Sequence, residues 1–309
     1  MKTPKLMAIA CLLFGSIVTP LTAANAASAE TLESPNLGAA ALGNDISWPQ
    51  CGGGLPGGQS FGIVGVNDGR PGTVNPCLGE QLQWAASSVG GTSQAPVALY
   101  VNTANPSQYA YTWWPSSNVV LGVNVPNPYG ACNGTASTAC AYIYGYANAY
   151  DDVNEWGVPD PTKHMWWLDV ETGNAWSWDT AANASVLEGM TAYFQSIGAQ
   201  VGIYSTSYQF GLIAGQPGPN SNLNGLKSWL AGATSTDTAA AYCALPPLTA
   251  GGVVALTQFT DGNFDYNYSC IPPAPPAPPA PVAPPAPPTP TLTHDADGRL
   301  KPLLSQAQG

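Results

Sequence analysis

Two carboxylic acids lie two residues apart within an aromatic stretch of this 309-residue chain. The stretch MWWLDVETGNAW contains Asp169 and Glu171, directly after an apolar run typical of a strand entering a core. Side chains at positions i and i+2 of a strand lie on the same face, so both carboxyls are expected to point the same way. Buried carboxylates are rare unless they are paired or hydrogen-bonded, which makes this pair a candidate for chemistry.

Two more acids occur where the first and last strands are expected. Asp45 lies in NDISWPQ and Asp265 lies in DGNFDYN. First and last strands are neighbours in a closed barrel, so these acids are expected to join Asp169 and Glu171 in one pocket. Like charges disfavour each other's ionisation and raise the pKa of clustered carboxyls. One acid can then stay protonated near neutral pH and protonate a glycosidic oxygen.

The alternative interpretation of the D-x-E pair is a solvated or salt-bridged strand end. Basic partners are scarce, because residues 43–270 contain only Arg70, Lys163 and Lys227. That scarcity weakens the salt-bridge alternative and favours a functional pair.

Aromatic side chains could offer flat apolar faces to sugar rings. Ordinary core packing is the alternative for each of them. The candidates are Trp48, Trp166, Trp167, Trp176, Trp178 and Tyr204. Among the tryptophans, Trp48 and Trp167 are our candidates for substrate binding.

Eight strand-like segments must position these residues. They are residues 44–47, 62–67, 97–102, 166–171, 201–205, 228–232, 254–259 and 264–267. Helical patterns between them occur in GEQLQWAASSVG, ACAYIYGYANAYDDVNEW and TAANASVLEGMTAYFQSIG. This alternation predicts an α/β fold, a (β/α)8 TIM-type barrel with irregularities, whose active site lies at the carboxyl ends of the strands. Residues 119–125 could form an additional strand, and helices after the fifth and sixth strands are weakly marked.

The composition excludes several classes of partner. The formal net charge is -11, the isoelectric point is about 4.2 and charged residues make up 8%. A nucleic-acid-binding protein would present a basic face, and an anionic membrane would repel this chain. We therefore expect no nucleic acid and no membrane as partner, and no segment after the N-terminus is apolar enough for a transmembrane helix.

The two ends of the chain differ in composition from its middle. Residues 1–26 are expected to be a signal peptide, with Lys2 and Lys5, a short apolar run and an A-x-A site. A short linker, 27–42, leads to a barrel domain at 43–270. Residues 271–290 form a Pro-rich linker, expected to be a polyproline II spacer, and 291–309 a disordered tail. The protein is therefore expected to be secreted or associated with the cell wall.

Six cysteines remain after the predicted signal peptide. An even number outside the cytosol predicts disulfides. The pairings that we favour are Cys132–Cys140, which closes the short loop CNGTASTAC, then Cys51–Cys77 and Cys243–Cys270. A zinc site is the less favoured alternative, because the chain has no close Cys pairs of the structural-zinc kind.

Other chemistries fit the sequence less well. A Ser-His-Asp triad would need His164, which precedes the fourth strand and is expected at the opposite face of the barrel. No GxGxxG followed by an acid and no phosphate loop is present, and GGGLPGG at 52–58 is better interpreted as a mobile loop. Asp151, Asp152 and Glu155 are interpreted as a solvated helix face rather than a calcium site. We expect no cofactor and no metal.

The motifs around these acids resemble those of the glycoside hydrolase family 25 lysozymes, which are N-acetylmuramidases with a barrel fold. DISWPQ is similar to the family's D-[VI]-S motif followed by Gln, and LDVE to its xDxE strand. GIYST is similar to G-x-Y-[ST], and QFTDGNFDYN to the closing Q-[YF]-[ST]…D-x-N motif. In this order and spacing the motifs extend over nearly the whole domain.

The resemblance implies roles for individual residues. Glu171 would be the proton donor, Asp45, Asp169 and Asp265 would complete the acidic site, and Tyr204 and Gln258 would line it. The implied activity is cleavage of β-1,4 glycosidic bonds in peptidoglycan or a related amino-sugar polysaccharide. A noncatalytic glycan-binding or cell-surface protein on the same barrel is the alternative. We expect the protein to be a monomer.

Overall fold

Ten strands lie in the main body of the protein, for which a computed structural model describes residues 41–109 and 113–272, together with 292–294 and 300–302. In chain order the ten are β1 Leu42–Ile46, β2 Gly62–Gly65, β3 Val97–Asn102, β4 Val119–Val120, β5 Val123–Asn124, β6 Met165–Asp169, β7 Gln200–Ser205, β8 Lys227–Ala233, β9 Val253–Thr260 and β10 Asp265–Ser269. Eight of them close into a barrel in the order β1-β10-β9-β8-β7-β6-β3-β2. The predicted α/β barrel is confirmed.

The barrel is irregular at its last strand. Neighbouring strands are parallel except β10, which is antiparallel to both β9 and β1. Only residues 261–264 connect β9 to β10, and a parallel connection would need a dozen or more residues. The Asp261 carboxylate accepts hydrogen bonds from the backbone N–H groups of Asn263 and Phe264, which closes this tight turn. Consequently Asp265 reaches the pocket edge from the beginning of its strand rather than from the end.

Five α-helices connect the strands. They are α1 Leu78–Ala86, α2 Thr138–Asn154, α3 Thr180–Ser196, α4 Ser207–Ile213 and α5 Thr236–Tyr242. The three predicted helices correspond to α1, α2 and α3, and the two weakly marked ones form as the short α4 and α5. Single 3-10 turns lie at Trp48–Gln50, Ser107–Tyr109 and Pro161–Lys163. The residues that could have formed an additional strand fold instead as the separate hairpin β4–β5, outside the barrel.

Helices α2 and α3 pack closely because two glycines face each other's backbone. A Cβ atom at Gly145 would lie 2.0 Å from the carbonyl oxygen of Val186, and one at Gly189 would lie 2.0 Å from that of Tyr142. Any side chain at either position would push the helices apart. This close contact holds α2 in place beside the barrel.

Strand β6 shows how the core positions the acids. Trp166 is buried on the outer face and stacks on Phe194 of α3, with ring centroids 4.7 Å apart. Trp167 lies on the inner face, where its ring packs edge-to-face against Trp229 with ring centroids 5.7 Å apart. Side chains alternate along a strand, so Asp169 shares the inner face with Trp167 and lies one layer nearer the carboxyl end. The apolar residues below it fix its direction.

All three predicted disulfides are present. Cys51 bonds to Cys77, Cys132 to Cys140 and Cys243 to Cys270. The first joins the turn after β1 to the start of α1, the second braces the start of α2, and the third joins the end of α5 to the residue that follows β10. Each therefore fixes a connection outside the barrel strands.

Several predicted segments lie outside the described residues. These are the signal peptide, the linker up to residue 40 and most of the Pro-rich segment. In the tail, two strands, β11 Leu292–His294 and β12 Leu300–Pro302, pair antiparallel. Of the tail at 291–309, these six residues are the part that the structure describes. Across the part of the chain that the structure describes, no helix is both long and apolar enough to cross a membrane.

Candidate active site

One small pocket at the carboxyl edge of the parallel strands collects the four acids. Its volume is about 140 Å³, and its lining consists of Asp45, Tyr100, Asp169, Glu171, Tyr204, Trp229, Gln258 and Asp265. A cavity of about 820 Å³ beside α4 is larger, but no ionisable side chain lines it. The structure therefore brings together the predicted acids with Tyr204 and Gln258, and adds Tyr100 and Trp229.

Asp169 is the most enclosed of the four acids. It ends β6 and is 5% exposed. Its Oδ2 atom accepts a hydrogen bond of 2.7 Å from Nδ2 of Asn102, while Oδ1 has no hydrogen-bond donor among the described residues. Burial, and next the charge of Glu171, raise the pKa of Asp169 well above its ordinary value. This carboxyl therefore holds a proton more readily than a solvated aspartate does.

Glu171 lies two residues beyond the end of β6, although the sequence predicted that the strand continues through it. The chain stays tied to β7 because Val170 donates a backbone hydrogen bond of 2.9 Å to Tyr204. The indole N–H of Trp176 donates to the backbone carbonyl of Glu171 at 2.8 Å and fixes the turn. As a result the side chain still reaches the pocket.

The carboxyls of Asp169 and Glu171 interact directly. The pKa of Glu171 is raised by burial, and hydrogen bonds from Gln209 and Asp169 oppose that shift. The same contact with Glu171 raises the pKa of Asp169. Neighbouring carboxyls disfavour each other's ionisation, so this pair retains a proton more readily than two separate carboxyls would.

Asp45 forms the second part of the acidic site. Its Oδ1 atom accepts hydrogen bonds from Nε2 of Gln258 at 3.0 Å and from Nδ2 of Asn267 at 2.7 Å. The hydroxyl of Tyr204 donates to Oε1 of Gln258 at 2.7 Å, which fixes the orientation of that amide. Burial, and next the charge of Asp265, raise the pKa of Asp45 to about 7.

Asp265 lies directly across from Asp45 in the register of β1 and β10. Its pKa is raised by burial, although a hydrogen bond from Thr260 opposes the shift. Its backbone carbonyl accepts a hydrogen bond of 2.8 Å from Nδ2 of Asn44. The antiparallel last strand is thus what aligns this acid with the first strand.

No base neutralises this acidic cluster within the described residues. The single ion pair found there joins Lys163 to Asp160 at 3.0 Å, and neither residue lines the pocket. The salt-bridged alternative for the D-x-E pair therefore does not apply. Four carboxyls with raised pKa values can supply both a proton and negative charge near neutral pH.

The tryptophans lie in less suitable positions than the sequence predicted. Trp167 is 1% exposed within the barrel core, where it has no face to offer a ligand. Trp48 is 44% exposed but does not line the pocket. Trp166 is a core residue, and Trp178 is fully exposed to solvent. Trp176 fixes the turn after Glu171 through its indole N–H.

Two pocket residues were not identified from the sequence. Tyr100 lies near Asp169, Asp45 and Glu171, and burial raises its pKa. Trp229 packs against Tyr204, with ring centroids 4.4 Å apart. Both lie in segments that the sequence marked as strands. Their position in the inward/outward alternation of those strands could have shown that they face the barrel interior. Apolar alternation alone does not show which layer of a barrel opens to solvent.

The comparisons with known proteins concern parts of the chain. Residues 146–238 match the family model described as Lysozyme-like protein 1. Forty-six residues, 15% of this chain, are 41% identical to Probable GH family 25 lysozyme 4 of Dictyostelium discoideum. Both matches are to lysozyme-like sequences, and each covers less than half of the chain. The chain spans about a fifth, 21%, of the length of that GH25 relative.

Two solved structures match this chain at low sequence identity. A family GH25 lysozyme from Aspergillus fumigatus matches with a TM-score of 0.46 and 12% identity, over 75% of this chain and 94% of the other. The bacterial lysozyme from Streptomyces coelicolor matches with a TM-score of 0.48 and 14% identity, over 75% and 92% of the two chains. Similarity at this level carries no information about the site.

Proposed function

We propose that the protein is a secreted glycoside hydrolase that cleaves β-1,4 glycosidic bonds next to N-acetylmuramic acid in peptidoglycan. The observation that supports this most directly is the pocket in which four carboxyls meet without a base. The matches to lysozyme-like sequences agree with it. The three disulfides suit an oxidising extracellular compartment.

Glu171 is proposed as the proton donor. It is more exposed than Asp169, so it can reach the oxygen of a glycosidic bond, and burial raises its pKa. Asp169 is enclosed and oriented by Asn102, which suits a residue that holds the substrate and stabilises charge. Proton transfer from Glu171 to the leaving oxygen leaves a carboxylate, which regains its proton from the water that attacks the anomeric carbon in the second step.

The proposed reaction retains the configuration at the anomeric carbon. Asp169 and Glu171 approach from the same strand end, so neither is placed to attack from the face opposite the other. The acetamido group of the substrate would attack instead, oriented by Asp169, as in substrate-assisted glycosidases. Asp45 or Asp265, from the other side of the pocket, is the alternative source of an opposite-face carboxylate.

A digest of purified peptidoglycan tests the proposal. The full chain is incubated with the polymer, and new reducing ends are identified by mass spectrometry; we expect N-acetylmuramic acid. Ends consisting of N-acetylglucosamine would indicate a glucosaminidase. Saturable binding without products would support the noncatalytic glycan-binding alternative. Proton NMR of the first product tests the stereochemistry, since an initial α-anomer from the β-linked polymer would exclude retention.

A further inference from the structure

Asp152 on α2 is a buried carboxyl outside the pocket. The sequence suggested a solvated helix face for Asp151, Asp152 and Glu155, and for Asp152 this is wrong, because its side chain is 1% exposed. Glu155 is exposed and Asp151 partly so. Burial of a carboxyl without a cation costs stability, and among the described residues the one ion pair involves Lys163 and Asp160. We therefore looked for the interaction that keeps the Asp152 carboxyl buried.

A series of three hydrogen bonds leads from Asp152 to the pocket. Oδ1 of Asp152 accepts from Nδ2 of Asn67 at 2.8 Å, and Oδ1 of Asn67 accepts from the backbone N–H of Asn102 at 2.8 Å. Nδ2 of Asn102 then donates to Oδ2 of Asp169 at 2.7 Å. We call these four residues the Asp152 path. None of their side chains is more than 9% exposed.

Asp152 supplies an acceptor for the one orientation of the Asn67 amide that the backbone N–H of Asn102 allows. The amide oxygen of Asn67 must face the N–H of Asn102, because a backbone N–H can only donate. The amide nitrogen of Asn67 then needs acceptors, and it finds the carboxyl of Asp152 and, at 3.0 Å, the carbonyl of Thr73. Asn102 ends β3, so holding its backbone N–H sets the direction in which its side chain leaves the strand.

We propose that Asp152 is a positioning residue for the carboxyl of Asp169, acting through Asn67 and Asn102. The inference rests on the proposed function, in which Asp169 orients the substrate and stabilises charge. Asp152 lies on an outer helix and sets the reactive geometry without touching the ligand. A shift of about 1 Å in such a geometry can cost on the order of a hundredfold in rate.

The kinetic test compares neighbouring acids. Asp152→Ala is expected to lower kcat about ten- to hundredfold with KM changed less than about twofold, whereas the control Asp151→Ala, which lies beside the path, keeps the wild-type kcat. Asp152→Asn keeps an acceptor oxygen for Asn67 and is expected to restore most of the rate. Equal kcat values for Asp152→Ala and Asp151→Ala would overturn the proposal.

A double-mutant cycle separates positioning from a merely structural role. If Asp152 acts through Asn102, the double variant Asp152→Ala/Asn102→Ala is no slower than Asn102→Ala alone. Independent, multiplied losses would contradict the path. Should Asp152→Ala fail to fold, as judged by circular dichroism, Asn67→Ser interrupts the path one residue closer to Asn102 and must show the same loss of kcat.

A readout without turnover distinguishes failure of this inference from failure of the proposed function. The groups that face Asp169 and titrate are Asp45, Tyr100, Glu171 and Tyr204. The hydrogen bond from Asn102 lowers the pKa of Asp169 against their effect, so a loosened Asn102 in Asp152→Ala should raise it further. A ¹³C NMR titration of the Asp169 carboxyl measures this shift even in an inactive protein. An unchanged titration would reject the path, whether or not the wild type cleaves peptidoglycan.

Discussion

At the scale of single residues, hydrogen-bond partners distant in sequence set the orientation and the pKa of each acid. Asp169 and Glu171 were recognisable from their spacing, and Asp45 and Asp265 from their places in the first and last strands. The sequence did not reveal Asp152, because its partner Asn67 lies 85 positions away and polar residues on a helix usually face solvent. Trp167 was a candidate for substrate binding but is buried in the barrel core. Period-two alternation identifies the residues that face the barrel interior, but it does not show how far each lies from the open end.

The proton donor can be tested by one isosteric substitution. Glu171→Gln is expected to lower kcat by about 10²- to 10⁴-fold, the usual contribution of general acid catalysis, because the amide cannot deliver a proton. Asp169→Asn should cost less, since its proposed task is orientation. Glu155→Gln, at an exposed position on the same chain, serves as the control with unchanged rate. Near-normal turnover by Glu171→Gln on peptidoglycan would mean that another acid donates the proton.

The strands were far more predictable than their directions. All eight barrel strands lie within a few residues of the segments marked by apolar patterns, because inward-facing side chains must be apolar below the pocket layer. The antiparallel β10 was not predicted, although the four residues of its turn, closed by Asp261 with Gly262 at φ +90°, carried the information. Likewise the end of β6 at Asp169 depends on backbone partners in β7 that no local pattern shows.

The disulfides are expected to contribute strongly to stability, because each braces a connection outside the barrel strands. Each native bridge contributes on the order of 2–4 kcal/mol. We expect reduction to lower the melting temperature strongly, as measured by calorimetry with and without a reductant. Thiol titration of the denatured, unreduced protein lacking residues 1–26 should find no free cysteine. Two or more free thiols would contradict the three pairings.

The buried acids lower the free energy of unfolding of the protein by an amount that depends on pH. The pKa of Asp152 is about 7 in the folded protein, against 3.8 when solvated. Between these values the folded state binds more protons than the unfolded state, so the free energy of unfolding decreases as pH rises. Stability is therefore expected to be greater at pH 4.5 than at pH 7.5. The contribution of Asp152 alone is on the order of 4 kcal/mol.

Urea denaturation at several pH values measures this effect. Asp152→Asn removes the titrating group while keeping the acceptor for Asn67, so its unfolding free energy should depend less steeply on pH between about 4 and 7. Identical slopes for the wild type and the variant would show that Asp152 does not titrate in this range. Glu155→Gln, which changes an exposed acid by the same chemistry, controls for the loss of charge.

Because β10 is antiparallel to β1, the start of the first barrel strand lies next to the end of the last one. Leu42, at the start of β1, is the direct cross-strand partner of Tyr268, near the end of β10, and such partners lie only about 5 Å apart. Both are at the edge opposite the pocket. A linker of a few residues could join these points, and the chain could be opened at an exposed connection instead. A circularly permuted barrel should then keep its acidic pocket, with its new ends placed wherever an attachment or a label is wanted.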